Sequence, residues 1–231
     1  MSSFLLLAAL LPAAVLLLQV YRLDKIEKEP QGLLLKLLGG GAVSGIVAYF
    51  AEWAAMGLLM KLRPQQDIWF LILQNFLAVA LVEEVCKRLP VMLFAWNNKA
   101  FDYRFDAVVY CVFSALGFAA LENILYVAEN GFGTAVSRAL LSVPGHCFFA
   151  VYMGIYLGEA KQAERDGEGY EMDGLKRASL LVPMLLHGFW DFCLSVQNWK
   201  MALLFYVFVL IFFISANSKL RRASESDRRI F

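Results

Sequence analysis

The sequence predicts an all-α membrane protein: one bundle of about seven transmembrane helices with the N-terminus outside and the C-terminus in the cytoplasm. Three observations carry that reading. Of the 231 residues, 60% are hydrophobic and only 18% are charged, which is too apolar for a soluble domain of this length. The apolar residues come in long runs, and about 20 residues suffice to cross a bilayer core. The basic residues between those runs fall mainly on one side when the runs are threaded alternately through a membrane. The net charge of +1 gives no sign of a nucleic-acid partner.

The first span covers residues 4–20, with Pro12 inside it as a kink. No Lys or Arg precedes it, whereas Arg22, Lys25 and Lys28 follow it. That order is the reverse of a signal peptide's, so the helix is expected to be retained. The second span covers about 37–60, and Gly41 and Gly45 form a GxxxG that permits close helix packing. Glu52, beside Trp53, reads as a packing or interface residue because it has no second acid or histidine at helical spacing. After a short polar loop at 61–67, the third span covers about 68–96. At about 1.5 Å per residue it exceeds a bilayer core, so tilt or a break near Pro90 is expected.

The fourth and fifth spans cover about 107–128 and 134–158, the longest polar stretch runs over 159–177, and the sixth span covers about 178–196. A seventh at 201–216 closes the set, which makes 1–218 a single transmembrane domain and 219–231 a basic cytoplasmic tail. Fifteen basic residues (Arg22, Lys25, Lys28, Lys36, Lys99, Arg104, Lys161, Arg165, Lys176, Arg177, Lys219, Arg221, Arg222, Arg228, Arg229) then face one side, and four (Lys61, Arg63, Arg138, Lys200) face the other. That asymmetry sets the orientation. Cys86, Cys111, Cys147 and Cys193 all lie in apolar runs without a CxxC partner and read as reduced, buried thiols.

Charge inside the spans carries the chemistry. Glu83, Glu84, Lys87 and Arg88 interrupt an otherwise apolar run, and each charge near a bilayer centre costs about 2.5 to 3.5 kcal/mol unless it faces protein or water and is compensated. On a helix, Glu83 and Lys87 are i,i+4 and Glu84 and Lys87 are i,i+3, so one lysine reaches both carboxylates. A purely structural ion pair between helices would use the same spacing. Glu122 and Asn123 on the fourth span, His146 on the fifth, and His187 and Asp191 on the sixth all fall near the same depth. Both histidines of the chain lie in this layer, and Asp191, i,i+4 from His187, can orient its imidazole.

A carboxylate pair holding one proton and restrained by Lys87, next to histidines able to stabilise an oxyanion, suits hydrolysis by activated water. Ser114, Ser137, Ser142, Ser179 and Ser195 lack a G-x-S-x-G setting. A proton-coupled transporter would also use intramembrane acids and histidines, but no inverted repeat accompanies them. A lone buried histidine is commonly a satisfied core residue, and Asn123 would serve equally as a helix-to-helix hydrogen bond.

E-E-x-x-K (Glu83, Glu84, Lys87), F-x-x-x-E (Phe118, Glu122) and H-x-x-x-D (His187, Asp191), in that order along residues 80–195, resemble the PrsW family of intramembrane proteases. That family is similar to type II CAAX prenyl proteases and abortive-infection-type proteases, whose pattern has histidine where this chain has Glu122 and asparagine where it has Asp191. The resemblance implies a membrane-embedded endopeptidase of a bacterial cell membrane. It implies the first (site-1) cut in a membrane-spanning anti-sigma factor, which starts a stress response. It also implies that Glu83 and Glu84 activate water, with Glu83 the base, and that His187, oriented by Asp191, stabilises the oxyanion. Glu122 and His146 would complete the polar shell, with Lys87 and Asn123 in support.

Glu83, His146 and His187 could instead hold a catalytic zinc, as in a CAAX-like metalloprotease. There is no H-E-x-x-H, however, and Lys87 already neutralises the charge that would draw a dication. The expectation is therefore a metal-independent glutamate protease with no cofactor.

Overall fold

The computed structural model describes residues 2–63 and 67–231. Among the described residues it holds seven helices long and apolar enough to cross a membrane. The first is α1 (Ser3–Leu23) and the second α2 (Gln31–Leu62). The third, Ile68–Ala95, joins α3 (Ile68–Leu73), a π-helical stretch Gln74–Leu81, α4 (Val82–Pro90) and a second π-helical turn, Val91–Ala95. The fourth is α5 (Asp106–Asn130), and α6 (Phe132–Leu140) with α7 (Ser142–Asp166) makes the fifth. The last two are α8 (Gly169–Ser195) and α9 (Trp199–Glu225).

Helices outrun the apolar stretches that announce them. The polar stretch 159–177 is almost all helix, turned only at Gly167 in the left-handed region (φ 78°). Hydropathy marks what lies in lipid, whereas Glu, Lys, Gln and Arg are good helix formers that carry a helix onward into water. The break expected near Pro90 is instead a widening of the helix to π geometry at Val91–Ala95, which absorbs the missing N–H. A break does occur in the fifth span, at Leu141. Of the loop expected at 61–67, Lys61 and Leu62 belong to α2, and residues 64–66 lie outside the described residues.

The bundle is built around α5, two-thirds of whose apolar window is buried, with α1, α2 and α7 packed on it. Glycine sets the closeness. A Cβ on Gly41 would stand 1.9 Å from the Ser114 carbonyl oxygen, and one on Gly117 would stand 2.0 Å from that of Leu38, so α2 and α5 cross backbone to backbone. Gly41 thus behaves as its GxxxG suggested, while Gly45 only meets Leu121 and Phe118 side chains. The same crossing brings Ser114 Oγ to donate to the Lys87 carbonyl at 2.6 Å, fixing α4 to α5 at the lysine. All four cysteines are free and buried.

The segments richest in Lys and Arg meet at one end of the bundle. Residues 226–231 run against 102–105, where Arg104 N donates to the Arg228 carbonyl (3.1 Å) and Ile230 N to that of Asp102 (2.6 Å). Ser224 Oγ donates to the Leu23 carbonyl, and Trp96 Nε1 donates to Glu164 at 3.3 Å. Residues 219–225 continue α9, and Ile230 is buried. On the orientation expected from the basic residues, labelling of a cysteine at Gly167 and of a tag after Phe231 is expected to report cytoplasm for both. An external reading for either rejects the orientation.

At this end the Tyr110 hydroxyl donates to Glu29 and lies 3.0 Å from the Ala100 carbonyl. Burial raises the Glu29 carboxyl from 4.5 to about 7, against the Tyr110 bond that lowers it, and burial raises nearby Asp24 to about 6. Folded Glu29 therefore keeps a proton that the unfolded chain releases above about 4.5. Its contribution to stability is full below that pH and is lost as pH rises through 7. Glu29→Gln is accordingly expected to flatten the fall in detergent-solubilised melting temperature between pH 5 and pH 8, and an unchanged slope rejects the assignment.

Candidate active site

The interruption in the third span folds as helix α4, so its charges take the spacing read from the sequence. Lys87 Nζ donates to Glu83 Oε2 and to Glu84 Oε1, both at 2.8 Å, and stands 4.8 Å from the Phe118 ring centroid. The lysine is 1% exposed and Glu84 is fully buried, so the charges compensate one another inside the bundle. The lysine thus bridges the two carboxylates, as its spacing predicts.

The rest of the layer arrives from three other helices. From α8, His187 Nδ1 pairs with Glu84 Oε1 at 2.9 Å and Nε2 with Asp191 Oδ2 at 3.3 Å. The ring is held between two carboxylates and stacked on Phe149 of α7, 4.9 Å between centroids at 17°. Asp191 is thus beside Nε2 of His187, and Glu84 is within hydrogen-bond distance of its Nδ1. From α7, His146 Nε2 pairs with Glu122 Oε2 of α5 at 3.0 Å, while its Nδ1 is buried without a hydrogen-bond partner. The two imidazoles stand edge to face, 5.6 Å apart. Glu83 Oε2 lies between them, 3.9 Å from His146 Nδ1 and 3.9 Å from His187 Nε2.

A cavity of about 960 Å³ opens on this layer, and Glu83, Glu122, His146, His187 and Asp191 are on its wall. Glu84, Lys87 and Asn123 are not on that wall. Asn123 bridges helices, donating to the Ala9 carbonyl at 2.6 Å and accepting from Arg138 Nε at 2.8 Å.

Three wall residues escaped the sequence reading. Arg138, counted as a loop cation, is carried by α6 into the site, where Nη2 meets Glu122 Oε2 at 2.8 Å. Glu52 also lines the cavity; its polar neighbours come from other helices, so spacing along its own helix gave no signal. Asn75 lines it too and accepts from Ser195 Oγ at 3.0 Å. It sits in the π-helical stretch just before Glu83, and a lone amide in an apolar run was the available sign.

A seven-span bundle with an acid and histidine layer on a cavity suits a membrane-embedded peptidase. Over residues 29–216 the chain matches the family described as PrsW family intramembrane metalloprotease. It is 36% identical over 193 residues to Protease PrsW of Geobacillus kaustophilus, covering 83% of this chain and 80% of that protein. It is 33% identical to Protease PrsW of Oceanobacillus iheyensis, over 95% of each chain. To Protease PrsW of Bacillus subtilis it is also 33% identical, over 93% of this chain and 94% of the relative. No solved structure matches. The chain belongs to the PrsW family of intramembrane proteases, and it is a peptidase. The transporter reading has no comparable support.

The family description names a metal, and the residues fit one in kind. Among the described residues no three His, Cys, Asp or Glu side chains are already closed around a metal position. Ligands of a tetrahedral zinc at about 2.0–2.2 Å stand roughly 3.3–3.5 Å from one another. The two 3.9 Å separations at Glu83 therefore exceed this by only about half an ångström. The unpartnered, buried His146 Nδ1 is the nitrogen such a site would use.

Proposed function

We propose that this chain is an intramembrane endopeptidase that hydrolyses a peptide bond of a membrane-spanning protein, with Glu83 activating the water. The observation that carries the reading is Glu83 Oε2, on the cavity wall and 3.9 Å from an imidazole nitrogen on either side. Glu83 takes a proton from water, whose oxygen adds to the scissile carbonyl carbon. His187, held by Glu84 through Nδ1, turns its Nε2–H from Asp191 to the developing oxyanion, which a positioned donor stabilises. The tetrahedral species collapses with cleavage of the C–N bond, and the proton held by Glu83 passes to the departing amine. Glu84 and Lys87 position this machinery from behind the wall, and Glu122 with Arg138 holds the His146 ring.

The resemblance carried by E-E-x-x-K, F-x-x-x-E and H-x-x-x-D implies the substrate we propose, a membrane-spanning anti-sigma factor cut first by this enzyme at a bacterial cell membrane. Coexpression with such single-span proteins is expected to yield a cut product with the wild-type chain and none with Glu83→Gln.

A second reading is favoured by the free His146 Nδ1 and by the family description. In it, Glu83, His146 and His187 hold a zinc ion, which would supply a Lewis acid and a bound water of lowered pKa. Elemental analysis and cleavage after exhaustive chelation separate the two. Activity that survives stripping supports direct water activation by the carboxylate. One zinc per chain, with cleavage lost on removal and restored on return, assigns the three residues as ligands.

A further inference from the structure

A second cavity, of about 430 Å³, is lined by Arg88, Asp173, Lys176, Arg177, Leu180 and Leu181. It joins α4 to the first half of α8, toward the end of the bundle where the basic segments gather. Three cations and one carboxylate give its wall an excess of two positive charges. Arg88 Nε is buried with no partner, and the lysine and arginine ion pairs of the described residues all involve other cations. Lys176 rests 4.0 Å from the Trp96 ring centroid, so it is positioned without a carboxylate. Arg88 directly follows Lys87, but about 100° around α4, and plays no part in the peptidase site.

A guanidinium with a free donor beside two further cations matches a phosphate, which it can grip in bidentate fashion. The apolar side of the cavity shows where the rest of the ligand lies. Leu181 is 47% exposed, and Leu185, one turn further on, is 53% exposed. They form a greasy strip leading from the cations toward the middle of the span, which an acyl chain would cover. We propose that this cavity binds the phosphate headgroup of an anionic membrane lipid. Arg88 shares α4 with Glu83, Glu84 and Lys87, so the lipid braces α4 against α8, the two helices that carry Glu83 and His187.

The test uses the purified full chain in neutral detergent, titrated with short-chain phosphatidylglycerol, with phosphatidylcholine of equal chain length, and with inorganic phosphate. Melting temperature and native mass spectrometry are the readouts. Phosphatidylglycerol is expected to saturate, raise the melting temperature and leave a one-to-one complex, while the other two do neither. Arg88→Gln is expected to weaken phosphatidylglycerol about tenfold or more, as loss of a charge-assisted bond would. Asp173→Asn removes the one carboxylate on the wall and is expected to tighten binding, a gain that stays readable if Arg88→Gln does not fold. Equal affinity for the two lipids, or no change in affinity in the Asp173 variant, overturns the proposal. Protection by inorganic phosphate without protection by phosphatidylglycerol assigns a soluble anion and also overturns it.

Discussion

Glu83→Gln is expected to abolish cleavage while leaving the bundle folded. Loss of a general base costs about 10²–10⁴-fold in rate, which takes a coexpression assay to background. The amide is nearly isosteric and can still accept a hydrogen bond from Lys87, so the helix contacts are kept. Lys87 retains Glu84 as its counter-ion at 2.8 Å, so no uncompensated charge is left in the interior. The contrast with Glu84→Gln makes the test specific. Glu84 is fully buried and holds both Lys87 and His187, so its loss is expected to lower detergent-solubilised melting temperature as well as activity. If Glu83→Gln cleaves normally, Glu83 is not the base. If it unfolds as Glu84→Gln does, the layer is architectural.

Lys87→Met is expected to give the largest loss of stability of any single change in this layer. The methionine fills similar volume, so the effect isolates charge. Two carboxylates would remain at 6% and 0% exposure, without the cation that meets both. Removing one partner of a buried ion pair typically costs about 3–5 kcal/mol, a large part of what holds a single domain together. Reduced accumulation in the membrane and a strongly lowered melting temperature are the readouts. The double variant Lys87→Met with Glu84→Gln should recover part of the stability, because an amide does not need the cation. A Lys87→Met chain that melts like the wild type shows that the ion triad contributes nothing, and with it fails the argument that Lys87 positions Glu83.

The seven spans, the common depth of the acids and histidines, and the Lys87 bridge across Glu83 and Glu84 were all legible in the chain before it was folded. Each is a local property: an apolar run long enough for a bilayer, or a spacing of three or four residues on one helix. The family pattern E-E-x-x-K, F-x-x-x-E, H-x-x-x-D is local in the same way. Which glutamate lines the cavity came from the packing of the helices. Glu83 and Glu84 are neighbours separated by about 100° of helix rotation, and the rotation of α4 is set by the π-helical turns on either side of it and by its packing on α5 and α8. The partner of His146 was hidden for the same reason. Glu122, 24 residues away, meets it where α7 packs on α5, and Arg138 reaches Glu122 because the fifth span breaks at Leu141 and lays α6 against α5. Arg138 and Glu52 have no acid or histidine at helical spacing, and contacts between helices leave no periodic mark in the sequence of either one.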